Sequence, residues 1–228
     1  MLAVGNWKMT WAFVTAVAVL GLLMKAASLL CNRERPRGLP FFLLSPLASV
    51  DSLRRVGAVT MGDVRQTLLR CGWTISAFLI VHWVYWQLVA TLNLSGWWLG
   101  YLGVPLVWLM GEAGGPVVRA LYLTSGKLVP LPHDHVLAAG SLGEFWGQRW
   151  NVWFSDWFRQ VIFRPWRRMP VQAMVVVFLI SGAMHEFVLN FTLWLITNHA
   201  PFGSMMIYFG LQALGILVER KWFSKGTP

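Results

Sequence analysis

The run from Met169 to Ile196 constrains this chain most. It is apolar along nearly its whole length, yet carries His185 and Glu186 in its interior. At ~1.5 Å of rise per residue it is long enough to cross ~30 Å of hydrocarbon as a helix. His185 then lies near mid-depth, where an ionisable side chain is costly and is normally paired, hydrated or functional. Four more apolar stretches accompany it: Trp11 to Leu30, Trp73 to Leu92, Trp97 to Val118 and Phe202 to Val218. The expectation is an all-α polytopic integral membrane protein, one membrane-embedded domain over residues 1–228. It has about five transmembrane helices plus interfacial or re-entrant helices. Composition agrees, with 57% of residues hydrophobic and 12% charged, against about half and a quarter in a soluble domain.

Charge placement orients the spans. Apart from Lys8 and Lys25, the basic residues fall in three stretches, Arg33 to Arg70, Arg119 to Arg168 and Arg220 to Lys225. The positive-inside rule puts these on the cytoplasmic side, with the N-terminus outside and the C-terminus cytoplasmic. A net charge of +10 would otherwise raise nucleic acid as a partner, but no soluble domain is left to present a basic face. Membrane lipid and a lipophilic small-molecule substrate are the partners expected instead. Lys25, near the end of the first span, is placed to snorkel to the interface. Cys31 and Cys71 lack the spacing of a zinc site or a disulfide framework.

Between the spans, Leu39 to Val50 is apolar but broken by Pro40 and Pro46, and reads as an interfacial segment. Met61 to Arg70 reads as an amphipathic helix with Asp63 at its positive end. Asn93 to Gly96 is a turn, Gly111 to Gly115 loosens the end of the third span, and Leu121 to His135 is a loop.

Two pieces hold the candidate chemistry. Over residues 140–168, Glu144 to Arg164 reads as an interfacial helix in which Trp146, Trp150, Trp153 and Trp157 recur at three- and four-residue spacing. Arg149, Asn151, Asp156 and Arg159 fall around the remaining turn, and a solvated, snorkelling helix explains the same pattern. In the fourth span Ser181 stands one turn before His185, and Gly182 permits close approach of a neighbour. Glu186 projects roughly 100° away from His185 and shares a face with Asn190, which suits it to anchoring an adjacent element. The rival account of His185 is a structural histidine bonded between helices. His82 reads as a core or interface residue. His133-Asp134-His135 offers two metal ligands with no third or fourth at a familiar interval, so no metal is expected. Nucleophile-elbow, Walker and dinucleotide fingerprints are absent from the sequence.

Ser141-Leu142-Gly143-Glu144-Phe145-Trp146-Gly147-Gln148-Arg149-Trp150-Asn151 resembles the S-L-x-x-F-W-G-R-R-W-N block of wax-synthase-like proteins, a branch of the membrane-bound O-acyltransferases. Ser181-Gly182-Ala183-Met184-His185-Glu186 is similar to that family's S-G-x-x-H-E block. Phe209-Gly210-Leu211-Gln212, followed by Glu219, looks like its next helix. The resemblance implies transfer of an acyl group from acyl-CoA, a co-substrate and not a bound cofactor, to the hydroxyl of a lipophilic alcohol. It implies His185 as the catalytic base, Asn151 as its partner residue, and Arg149, Arg159 and Arg164 on the side where CoA phosphates arrive.

Two other functions fit the residues. A membrane isoprenoid or terpene cyclase would stabilise a carbocation on Trp faces, with Trp146, Trp150, Trp153 and Trp157 as lining. A protonated Asp156 or Glu186 would then supply the acid. A non-catalytic lipid-binding subunit is the remaining alternative.

Overall fold

The computed structural model describes residues 7–31, 42–43, 45, 47–49, 59–92 and 97–223. The interfacial segment expected over Leu39 to Val50 lies partly outside these residues. The turn at Asn93 to Gly96 and most of the arginine-rich stretch before Met61 lie wholly outside them. The elements in chain order are α1 (Trp7–Cys31), α2 (Met61–Leu92), α3 (Trp97–Leu123), α4 (Leu142–Glu144), α5 (Val152–Phe158), α6 (Pro170–His185), α7 (Thr192–Thr197) and α8 (Ser204–Phe223). Wider π-helical turns follow α4, α5 and α6, at Phe145–Arg149, Arg159–Phe163 and Glu186–Phe191.

The protein is all-helical in its described elements, as expected. Among the described residues, three helices are long and apolar enough to cross a membrane: Trp11–Cys31, Met61–Leu92 and Pro170–Leu195. The other two expected spans are helical too, as α3 and α8. The amphipathic segment before the second span is not separate from it. With only Cys71 and Gly72 between them, the two fuse into one helix of 32 residues, about 48 Å long at ~1.5 Å per residue. That exceeds ~30 Å of hydrocarbon by roughly three turns, and the charged residues Asp63, Arg65 and Arg70 all lie in the first three turns, which suits that end to the headgroup side. Thr60 and Asp63 cap its start reciprocally: Asp63 Oδ2 accepts from the Thr60 N–H at 2.9 Å, and Thr60 Oγ1 accepts from the Asp63 N–H at 3.2 Å.

The chain divides into two compact units. The first comprises Met1–Asp51, Ala138–Gln148 and Trp153–Pro228. At its centre α6 buries both sides of its apolar run. Ala173 packs with Met24, Trp157, Phe158 and Ile162, while the next residue, Met174, packs with Phe178, Phe209, Ala213 and Ile216. Lys25 does not snorkel: it is buried, and its Nζ donates to the carbonyls of Leu43 and Ser45 at 2.6 and 2.5 Å. Ser28 Oγ donates to Ala48 O, and Ser49 Oγ to Gln160 Oε1. Buried backbone groups need partners, and Lys25 and Ser28 supply them to the carbonyls of Leu43, Ser45 and Ala48.

The second unit comprises Ser52–Leu137 and Arg149–Val152. In it α2 and α3 pack side by side, joined by Arg70–Glu112 at 2.9 Å and Arg119–Asp63 at 3.6 Å. Gly111 and Gly115 do more than loosen α3. A Cβ on Gly115 would lie 2.2 Å from Pro132 Cδ, and one on Gly111 would lie 2.6 Å from His133 Cε1. The glycines therefore seat the following loop directly on the helix. Gly115→Ala is expected to cost about 1–3 kcal/mol by overpacking, read as a lower chemical-denaturation midpoint and faster proteolysis near Pro132.

Candidate active site

Within the first unit, residues 141–148 of the first sequence block meet the other two blocks. Ser141 caps α4, its Oγ accepting from the Glu144 N–H at 2.9 Å, while Glu144 Oε2 accepts from the Gly140 N–H at 2.8 Å. Glu219 of α8 accepts from the Leu142 and Gly143 N–H groups at 3.1 and 3.2 Å. These are orphan donors of a helix start, where a carboxylate is favoured. Four residues on, Trp146 donates its Nε1–H to Gln212 Oε1 at 3.1 Å. Its ring lies 5.8 Å from Phe209 and 5.9 Å from Phe178.

His185 stands at the end of α6, half-buried, with its ring 4.6 Å from Phe209. Gly182, one turn earlier, lets α8 approach: a Cβ there would meet Met206 Sδ at 2.9 Å and Met206 Cα at 3.1 Å. His185 Nδ1 lies 2.7 Å from the Ser181 carbonyl oxygen. A carbonyl can only accept, so Nδ1 carries the proton in that bond. In the neutral ring the free lone pair is then on Nε2.

Glu186 is fully engaged elsewhere. Its Oε1 accepts from the N–H groups of Met205 and Met206 at 2.8 and 3.4 Å, and its Oε2 accepts from Asn190 Nδ2 at 2.8 Å. It caps the start of α8 and ties the chain on both sides of the bend, since Asn190 Nδ2 also donates to Pro201 O and Ser204 Oγ. Asp156 is buried and paired with Arg159 at 2.8 Å. Arg159 also reaches the Gly147 carbonyl at 3.5 Å. Trp157 is 4% exposed and donates its Nε1–H to Met24 O at 2.8 Å, so it belongs to the core against α1. Trp153 is half-buried in the same unit.

Arg149, Trp150 and Asn151 fall in the second unit. The helix expected over Glu144 to Arg164 is interrupted there, because Asn151 has φ +43°. Asparagine adopts this left-handed conformation more readily than other side-chain-bearing residues. Flanking bonds hold it: the Arg149 carbonyl accepts from the Asp134 N–H at 2.9 Å, and the Val152 N–H donates to Pro132 O at 2.7 Å. Arg149 Nη1 donates to the carbonyls of Asp134 and His135, each at 3.3 Å. Trp150 lies 4.6 Å from the ring of His133, and His133 Nδ1 lies 3.1 Å from Glu112 Oε1. His135 pairs with Asp134 in the open. His82 is exposed on α2, stacked on Phe78 and edge-on to Trp86.

Burial holds the His133 imidazole below its ordinary value, outweighing the attraction of Glu112. The unfolded chain therefore takes up a proton near pH 6.5 that the native unit resists. Stability is present above that pH and is lost as the pH falls through the lower native value. Thermal unfolding from pH 7.5 to 5 should show an acid-side loss of stability that His133→Gln reduces.

Sequence reasoning missed Gln212 and Glu219 as partners of the first block, and missed the Ser181 carbonyl as the group that sets the His185 tautomer. The first two carried a signal, a glutamine within a mostly apolar helix and a glutamate at the end of its apolar run. The carbonyl carried none.

A membrane-embedded all-helical protein with a tautomer-fixed histidine against an aromatic wall is the class that fold and site define. Residues 129–209 match the family model described as the membrane bound O-acyl transferase family. The chain is 33% identical over 115 residues to "Probable long-chain-alcohol O-fatty-acyltransferase 3" of Arabidopsis thaliana, covering 45% of this chain and 32% of that protein. It is 31% identical to number 7 of the same series, covering 39% and 28%, and 33% identical to number 9, covering 44% and 31%. Over this stretch the chain is similar to the membrane-bound O-acyltransferases and to these long-chain-alcohol O-fatty-acyltransferases. It spans about a third of the length of the relatives it matches. No solved structure matches it.

Proposed function

We propose that the protein transfers an acyl group from acyl-CoA to the hydroxyl of a lipophilic alcohol, with His185 as general base. The observation that carries this reading is the 2.7 Å bond from His185 Nδ1 to the Ser181 carbonyl, which leaves Nε2 basic inside an apolar span. In the reaction, Nε2 takes the hydroxyl proton as the alcohol oxygen attacks the thioester carbonyl carbon. The tetrahedral intermediate then collapses, breaking the C–S bond. The leaving CoA thiolate recovers the proton from the imidazolium, so ester and free CoA are formed and the base is regenerated. The names of the relatives, long-chain-alcohol O-fatty-acyltransferases, support an alcohol acceptor and a fatty acyl donor.

Asn151 is proposed as a second required residue, its amide serving to orient the hydroxyl or to donate to the developing oxyanion. Glu186 acts in this reading by positioning α8, and Trp146 by walling the histidine through Phe209. The termini are placed with the N-terminus outside and the C-terminus cytoplasmic, on the basic-residue pattern, with α3 and α8 completing five spans. The isoprenoid-cyclase alternative draws no support from the relatives, and Asp156 is bonded to Arg159.

The test is release of free CoA by the purified, detergent-solubilised protein given acyl-CoA and long-chain alcohols, with ester recovered in equal amount. Absence of CoA release across acyl and alcohol chain lengths would overturn the proposal.

A further inference from the structure

The second unit has a pocket that the acyl-transfer reading does not use. It opens between α2 and α3 and is lined by Gln66, Thr67, Arg70, Pro116, Arg119 and Leu131, with about 230 Å³ of unfilled space counting its mouth. Part of that space is open solvent, so the pocket suits a small group of phosphate size and not a long acyl chain.

Three buried polar atoms on residues that line it have no hydrogen-bond partner: Thr67 Oγ1, Arg70 Nε and Arg119 Nε. Thr67 is only 3% exposed. Leaving such a group unmet costs about 1–3 kcal/mol each, so three around one cavity call for an occupant. Both guanidinium atoms can only donate, and the occupant must therefore be rich in acceptor oxygens. The carboxylates nearby do not meet this need. Glu112 takes Arg70 by Nη2 at 2.9 Å and Asp63 takes Arg119 by Nη2 at 3.6 Å. Each pair fixes the orientation of its guanidinium while the Nε edge goes unpaired. Both arginines line the same pocket, so an anion there would be attracted by two positive charges.

Depth is consistent with such a ligand. Thr67 and Arg70 lie on the first turns of α2, the part of that 32-residue helix in excess of the hydrocarbon thickness. Arg119 lies near the far end of α3. The pocket thus sits at headgroup level, where phosphate groups occur both on lipids and in solution.

We propose that this pocket binds a phosphate group, held by the Nε edges of Arg70 and Arg119 and by the Thr67 hydroxyl. This stands independently of the acyl-transfer reading.

The experiment measures binding to the full solubilised chain of two probes, inorganic phosphate and short-chain phosphatidic acid in neutral-detergent micelles, by equilibrium dialysis and thermal shift. Thr67→Val removes one donor without changing shape, and Arg119→Lys keeps the charge beside Asp63 but removes Nε. Saturable binding of either probe, weakened about tenfold or more in both variants, supports the proposal. Phosphatidic acid binding without inorganic phosphate binding assigns the source to lipid, and the reverse assigns it to solution. Wild-type protein that binds neither probe, or variants that bind as tightly as wild type, would show that water alone fills the pocket and would overturn it. Should Arg119→Lys not fold, the isosteric Thr67→Val still decides.

Discussion

Replacing His185 with alanine is expected to lower the rate of acyl transfer by about 10²–10⁴-fold, the range of a positioned general base. Thermal unfolding should move little in comparison, because the ring bonds only to a carbonyl of its own helix and is half-buried against Phe209. The loss should fall on kcat, with KM for the alcohol nearly unchanged, since a base acts in the transition state and not in ground-state binding. A structural histidine gives the opposite pattern, a destabilised protein whose residual folded fraction works at full rate. Measuring kcat, KM and the unfolding midpoint on the same preparations separates the two accounts. Wild-type kcat in a stably folded His185→Ala protein would remove the base from the mechanism.

Asn151 offers the second large effect, because its backbone and its amide can be tested apart. At φ +43° a side chain costs about 1–2 kcal/mol that glycine does not. Asn151→Gly should therefore fold at least as well as wild type while lacking the amide. If the amide serves the reaction, activity should fall by about 10²-fold or more, on the scale of a lost oxyanion donor. Asn151→Val should instead break the local backbone, and with it the bonds linking Arg149 and Val152 to the loop at Pro132 to Asp134, since a β-branched residue is a true outlier there. A glycine variant with full activity would reduce Asn151 to a conformational role.

Much of the site was legible in the sequence because it rests on short-range rules. His185 in an apolar run is conspicuous by composition alone, and the i, i+4 relation of Glu186 and Asn190 follows from helical geometry. The observed 2.8 Å bond between them has that spacing. The Trp series was harder to read. An even helical period put Trp146, Trp150 and Trp157 on one face. The wider turn at Phe145–Arg149 and the left-handed Asn151 instead send them to different partners: Gln212 and Phe209, His133, and Met24. Periodicity assumes a constant angle per residue, and two local departures were enough to scatter the series.

By itself the sequence determined that the chain is helical and membrane-borne, and which of its segments are apolar enough to span. Those properties depend on hydrophobic content and on backbone groups satisfied within one helix. It also determined that a histidine stands deep in one such segment. Only the tertiary structure decided which proton-bearing nitrogen that histidine uses, that Glu186 caps α8, and that Lys25 turns inward to the carbonyls of Leu43 and Ser45. Each of these is a choice of hydrogen-bond partner. For a buried polar group that choice is set by whichever complementary atom packing brings within about 3 Å.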